Sequence, residues 1–200
     1  MYFIIIQRKI IKSNNADITC IGEVGQSGTY LLRIQVLNDH VLSFGRFKKG
    51  KEISIQAREY LYIGSALAKK GATTLGNRLS RHLSRTNGID HLLRNKLQTF
   101  FDDIGIKYTS NPSPKQKFWN IDHLNDLSDS EVIGIIFIRS PKALENTWSR
   151  FLEADSDTEI FEKGLGANDS NGATHIQQSR FTHEKWKQLP TKLPITSEWK

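Results

Sequence analysis

The order of apolar and polar positions divides the chain into a strand-rich first third and a helix-rich middle. Tyr2 to Ile10 and Ile18 to Val24 read as strands joined by the turn-forming Ser13-Asn14-Asn15. Thr29 to Leu37 alternates cleanly, with Tyr30, Leu32, Ile34 and Val36 on one face and Arg33 and Gln35 on the other. Asn38-Asp39-His40 predicts a hairpin into Val41 to Phe47, and Arg58 to Ile63 predicts a further strand ending at Gly64. Leu75, Leu79 and Leu83 predict a helix over 75–86. A longer stripe from Ile89 through Leu92, Leu93, Leu97, Phe100, Phe101 and Ile104 predicts a second over 89–105, closed by Gly105. A short helix over 119–124 follows, then a strand over 132–138 whose unbroken apolar run suits burial on both faces. Ser140 and Pro141 predict the cap and first position of a helix over 141–154, with Leu144, Trp148, Phe151 and Leu152 as its apolar face. Beyond the Gly-, Asn- and Asp-rich loop 164–172, only a short strand near His175 and a helix over 182–189 are expected. These elements predict an α/β (α+β) fold: a small, mainly antiparallel sheet flanked by helices.

Composition narrows the class. A chain of 200 residues suits about one domain. Its longest apolar runs fall far short of the ~20 residues needed to cross a bilayer. The first residues have no basic region ahead of their apolar run, so they read as a strand rather than a signal peptide, and no membrane partner is expected. The single cysteine, Cys20, excludes an intramolecular disulfide framework and a Cys-cluster zinc site, and it suits a reducing, cytoplasmic location. The formal charge of +7 is unevenly distributed. Residues 46–96 carry twelve basic side chains against three acidic ones, whereas residues 126–162 carry nine acidic against three basic. Such a basic segment fits either a polyanionic partner or a solvated face with no specific role.

Candidate chemistry lies in short elements. Gly28-Thr29-Tyr30 opens one strand and Tyr62-Ile63-Gly64 closes another. Arg78 and His82 lie one turn apart on the edge of the first helix, and Glu145 lies on the flank of a later one. This ordered set resembles the GIY-YIG nuclease superfamily, and within it the small GIY-YIG-like family found alone or fused to base-excision endonucleases. The resemblance also includes Phe44-Gly45-Arg46, Tyr62-Ile63-Gly64-Ser65-Ala66, the Arg-Leu-x-Arg-His-Leu helix at Arg78 to Leu83, Trp119-Asn120-Ile121-Asp122, and Leu144-Glu145. It covers roughly residues 28–176, leaving 1–27 as an N-terminal strand extension and 177–200 as a C-terminal tail. Three departures stand out. The loop before Arg78 has an extra Lys69-Lys70-Gly71, Asn120 replaces the usual His, and the Gly164-Leu165-Gly166 to Thr174-His175 element has no cysteine.

The resemblance implies metal-assisted hydrolysis of phosphodiester bonds, in DNA rather than RNA, in repair, restriction or mobile-element biology. By that resemblance Glu145 would hold Mg2+ or Mn2+, Arg78 would bind the scissile phosphate, and Tyr30 or Tyr62 would orient or deprotonate water. His82 would assist proton transfer, and Lys69, Lys70, Arg81 and Arg85 would contact nucleic acid. A phenol with a pKa near ~10 needs neighbouring cations to favour phenolate at neutral pH. Each residue also has an ordinary reading. Tyr30 and Tyr62 suit a packed core, Arg78 and His82 a solvated helix edge, Glu145 a helix N-terminus, and Asp122 and His175 a structural role. A nucleic-acid-binding module without turnover is the alternative from another class.

Overall fold

In the computed structural model, which describes residues 10–12, 17–110, 114–167 and 173–195, the chain forms nine strands and five helices. In chain order these are β1 (Ile10–Lys12), β2 (Ile18–Ile21), β3 (Gly28–Val36), β4 (His40–Ser43), β5 (Glu52–Ile55), β6 (Glu59–Ala66), α1 (Leu75–His82) and α2 (Leu93–Ile104). They continue with α3 (Asn120–Asn125), β7 (Ser130–Arg139), α4 (Glu145–Glu153), β8 (Thr158–Glu159), β9 (Ile176–Ser179) and α5 (His183–Lys192). Seven strands form one sheet in the order β1-β2-β7-β3-β6-β9-β8. All neighbours are antiparallel except β2 beside β7. The α/β class and the mainly antiparallel sheet expected from the sequence are therefore observed.

The cleanest alternating segment, β3, lies at the centre of the sheet, between β6 and β7. Helices cover both of its faces. Tyr30, Leu32, Ile34 and Val36 enter one core with α1, α2 and α3. Leu31 enters a second core with Ile63, Ile136, the α4 residues Trp148 and Leu152, and the α5 residues Trp186 and Leu189. The opposite face, which carries Arg33, is therefore covered as well. The Arg33 guanidinium is buried beneath Trp186, donates to both Glu59 oxygens at 2.7 and 3.0 Å, and donates to the Phe181 carbonyl at 2.6 Å. A charge so placed is tolerable because it is paired with a carboxylate and hydrogen-bonded through Nε and Nη2.

Other elements also differ from expectation. β4 does not return along β3. It pairs with β5, where buried Ile53 and Ile55 alternate with exposed Glu52 and Ser54. The second helix begins at Leu93 rather than 89, leaving Ile89 and Leu92 exposed on the preceding loop. The helix expected from Pro141 begins at Glu145. Ser140 Oγ instead accepts from Lys142 N at 3.1 Å in a local turn, and Leu144 N donates to Thr29 Oγ1 at 3.1 Å. The strand expected over Tyr2 to Ile10 lies outside the described residues except for Ile10. β2, from the segment before residue 28, lies in the main sheet beside β7, β9 pairs with β6, and α5 packs into the second core.

Trp148 is fully buried in the second core and its indole N–H donates to the Pro194 carbonyl at 2.8 Å. Trp148→Ala removes that bond and leaves a large cavity. It is expected to destabilise the protein by roughly 3–5 kcal/mol, read as a shifted urea midpoint.

Candidate active site

The register of β3 against β6 places Tyr30 opposite Gly64. A Cβ on Gly64 would lie 2.5 Å from both Cζ and Oη of Tyr30, so the tyrosine ring rests directly over the glycine. From there Tyr30 Oη reaches His82 Nε2 on α1 at 2.8 Å. Tyr62 lies two residues before Gly64, on the same face. Its ring meets those of Tyr30 and His82 edge-on, with centroids 6.1 and 5.4 Å away. Burial pushes the Tyr30 phenol up to about 12 against the opposing charge of Arg78, and it raises Tyr62 as well. The cation expected to favour phenolate is present, but desolvation outweighs it and both phenols rest un-ionised. Burial also holds His82 well below its usual range despite the nearby Asp122, so the imidazole is neutral. His82 Nδ1 faces Asp122 Oδ1 at 3.9 Å. A proton on Nδ1 leaves Nε2 free to accept from Tyr30.

Tyr62, Ser65, Arg78, Trp119, Glu145 and His175 line a cleft of about 510 Å3 at the end of β6. Arg78 stacks on Trp119, with Cζ 4.0 Å from the ring centroid, and its buried Nε has no partner. Glu145 stands at the first position of α4, with Oε1 2.9 Å from His175 Nδ1. Burial alone would raise its carboxyl, but His175, the Ser65 hydroxyl and Arg78 together hold it below the usual carboxylate range. His175 Nε2 lies 3.1 Å from Asn146 Oδ1. The fold therefore gathers all five residues singled out for catalysis. Tyr62, Arg78 and Glu145 face the cleft, while Tyr30 and His82 lie buried directly behind Tyr62.

The residues singled out for nucleic-acid contact divide. Lys69 and Lys70 are exposed, immediately after the cleft-lining Leu67 and Ala68. Arg81 is occupied internally: its fork donates to both Asp122 oxygens at 2.9 and 2.7 Å and to the Gln116 carbonyl. Arg85 is buried and cannot reach a ligand. Its guanidinium bonds the Ser130 carbonyl and Glu131 and lies against His91. A basic residue's place in the sequence does not distinguish a solvated fork from one enclosed by carbonyls and carboxylates. Sequence reasoning also set His175 aside as structural, whereas His175 is the direct partner of Glu145. Ser65 went unused although it directly follows Tyr62-Ile63-Gly64, and its place in that strand was the available signal. Asp122 is structural as expected and fully buried. Among the described residues no cluster of three or more His, Cys, Asp or Glu could hold a metal ion, so a cation here would have Glu145 as its carboxylate.

Two outcomes follow from this packing. Gly64→Ala must displace the Tyr30 ring and break its contact with His82, at an overpacking cost of roughly 1–3 kcal/mol in chemical denaturation. The neutral His82 also imposes a pH dependence. Its folded pKa lies below the unfolded value near 6.5, so the unfolded chain takes up the proton first. The contribution is complete above that pH and is lost as pH falls below it toward the folded value. His91 and His123 are shifted in the same direction and add to the slope. Stability measured by urea unfolding should therefore fall from pH 7.5 to 5, and His82→Gln should flatten that decline. An unchanged slope would show that the imidazole is not kept neutral.

No helix among the described residues is long and apolar enough to cross a membrane. Neither the curated proteins nor the solved structures contain a match to this chain. One family model does match, and it spans residues 29–195, from the strand of Tyr30 through α5. On that match the chain belongs to the family described as domain of unknown function DUF123.

Proposed function

We propose that the protein is a metal-dependent endonuclease of the GIY-YIG type that hydrolyses phosphodiester bonds in DNA. The observation that carries this reading is the meeting at one cleft of Tyr62, Arg78 and Glu145, with the Tyr30–His82 pair bonded behind them. Attack on phosphorus needs a positioned water, a cation over the phosphoryl oxygens and an acceptor for the water's proton. Arg78 is suited to hold the phosphate, because its buried Nε lacks a partner and Trp119 fixes the plane of its fork. Tyr62, which lines the cleft with Arg78 and Glu145, would orient the attacking water. A proton taken there would pass by way of the Tyr30 hydroxyl, whose ring contacts that of Tyr62, to His82 Nε2, which is neutral and able to accept it. The route reconciles two un-ionised phenols with base chemistry, since neither has to rest as phenolate.

Glu145 fits a Mg2+ or Mn2+ ligand. It is an ionised carboxylate on an open cleft, and Mg2+ is commonly held by one or two carboxylates together with waters and substrate phosphates. When bound, the ion would supply charge stabilisation on the phosphoryl oxygens. His175 and Ser65 orient the carboxylate for that role. Lys69 and Lys70, beside the cleft, would draw in the polyanion.

The test is nicking of plasmid, flap and branched DNA in Mg2+. Activity should stop with EDTA and with Glu145→Gln, and Tyr30→Phe should lower the rate by roughly 10²–10⁴-fold while circular dichroism shows the fold retained. DNA binding without cleavage in Mg2+ or Mn2+ would leave a non-catalytic nucleic-acid-binding module. Absence of binding at low salt would defeat both readings, because phosphate contacts are strongest there.

A further inference from the structure

Beside Arg78 the chain exposes an aromatic ring that the hydrolytic mechanism does not use. Phe118 is 76% exposed, the most exposed aromatic side chain among the described residues, and it meets Trp119 edge-on with centroids 4.9 Å apart. Trp119 packs partly against the core while Arg78 lies over its ring. Backbone, side chain and charge thus form a step: a guanidinium on an indole, with a phenyl ring projecting beside it into solvent. Leu67, also exposed, lines the cleft of Arg78 and Trp119, next to which Phe118 projects.

The ring is displayed from a fixed backbone. The amides of Phe118 and Trp119 both donate to Asp122 Oδ2, at 2.9 and 2.8 Å. Asp122 is fully buried and is itself held by the two-pronged Arg81 and by Lys115 at 3.5 Å. A fixed support reduces the ordering cost when a ligand settles on the ring.

We infer that Phe118 is a stacking platform for an unpaired base of the nucleic-acid strand whose phosphate Arg78 receives, so that the favoured substrate is single-stranded or carries a flap or junction. The inference rests on reading the cleft as a nucleic-acid site. Inside a duplex both faces of a base are covered by its neighbours, and only an unpaired base can offer one to a protein ring. The contact between Arg78 and Trp119, and between Trp119 and Phe118, places that base close to the bound phosphate. Lys69 and Lys70 supply the positive charge that a strand with one phosphate per nucleotide requires.

The experiment uses the full chain in EDTA, with single-stranded oligonucleotides carrying 2-aminopurine at successive positions and a duplex of the same sequence. Wild type should quench the probe at one position and bind the single strand more tightly than the duplex. Phe118→Leu should remove the quenching and weaken single-strand binding roughly 5- to 100-fold while leaving duplex binding unchanged, and Phe118→Tyr should restore both. Single-strand affinity insensitive to Phe118→Leu, or equal loss on single strand and duplex, would overturn the platform. If Glu145-dependent cleavage persists in that case, the platform alone has failed. Quenching without cleavage would keep the platform and remove the hydrolase, and no binding of any nucleic acid would remove both.

Discussion

The close approach of the Tyr30 ring to Gly64 governs the geometry of the cleft. Any side chain at position 64 would occupy the volume of the tyrosine Cζ and Oη, so the glycine is required by its neighbour rather than by its own backbone angles. With the ring seated there, the hydroxyl points off the sheet to His82, which links the central strand to α1. α1 in turn carries Arg78 toward the cleft. The same burial keeps the phenols un-ionised and the imidazole neutral, so Tyr30, Tyr62 and His82 rest uncharged behind the opposite charges of Arg78 and Glu145. In this arrangement desolvation selects the protonation states and the charged groups set the field that a substrate meets.

Asp122 holds the other side of the cleft together. A fully buried carboxylate is costly unless its lone pairs are satisfied, and here two guanidinium donors and two backbone amides satisfy them. Burial alone would raise this acid, but the Arg81 bond, the charge of Lys115 and the Trp119 amide hold it far below the ordinary carboxylate range. The consequence reaches beyond stability, because the acid joins α1, the segment from Lys115 to Trp119 and α3 at one point. Similar pairing runs across the molecule. Arg85 meets Glu131, Arg58 lies 3.9 Å from Glu159, and Lys48 pairs with Glu162. Each joins the basic stretch of the chain to the acidic one. Much of the charge asymmetry seen along the sequence is thus neutralised internally, and Lys69, Lys70 and Arg78 remain facing the cleft or its rim.

What was legible in the sequence follows from how locally each feature is determined. β3, β6 and β7 announce themselves by alternation or unbroken apolarity, and Leu75 and Leu79 by helical spacing, because these patterns need only neighbouring residues. The start of α4 was misread because Ser140-Pro141 is a sound local cap, and the contact that moves the helix start to Glu145 comes from Thr29 on a distant strand. Alternation placed Arg33 on the second face of β3 but could not reveal that α5 covers that face. The catalytic candidates were found through their order along the chain, and the ordinary reading of Tyr30 as a core residue also holds, since the ring is both fully buried and bonded to His82. Arg81 and Arg85 failed for the reason that Asp122 succeeded: charge in a sequence has no address until its counter-charge is placed.

The two short motifs make fuller sense as a pair of cross-strand rungs than as separate signatures. Thr29 faces Ser65 and Tyr30 faces Gly64, and successive rungs point to opposite faces of the sheet. The Tyr30–Gly64 rung serves the first core and positions His82. The Thr29–Ser65 rung serves the second: the two hydroxyls lie 3.1 Å apart, Thr29 Oγ1 accepts the Leu144 amide ahead of α4, and Ser65 lines the cleft with Glu145 and helps hold its carboxyl ionised. One rung therefore sets the tyrosine and histidine, and the next sets the carboxylate. Gly28 allows the pair to exist, because a Cβ there would fall 2.0 Å from the Ile138 carbonyl of β7. A slip of one residue between β3 and β6 would exchange the faces and separate the two halves of the site. The relative placement of phenol, guanidinium and carboxylate is thus a property of strand register, and the surrounding loops are left to determine what enters the cleft.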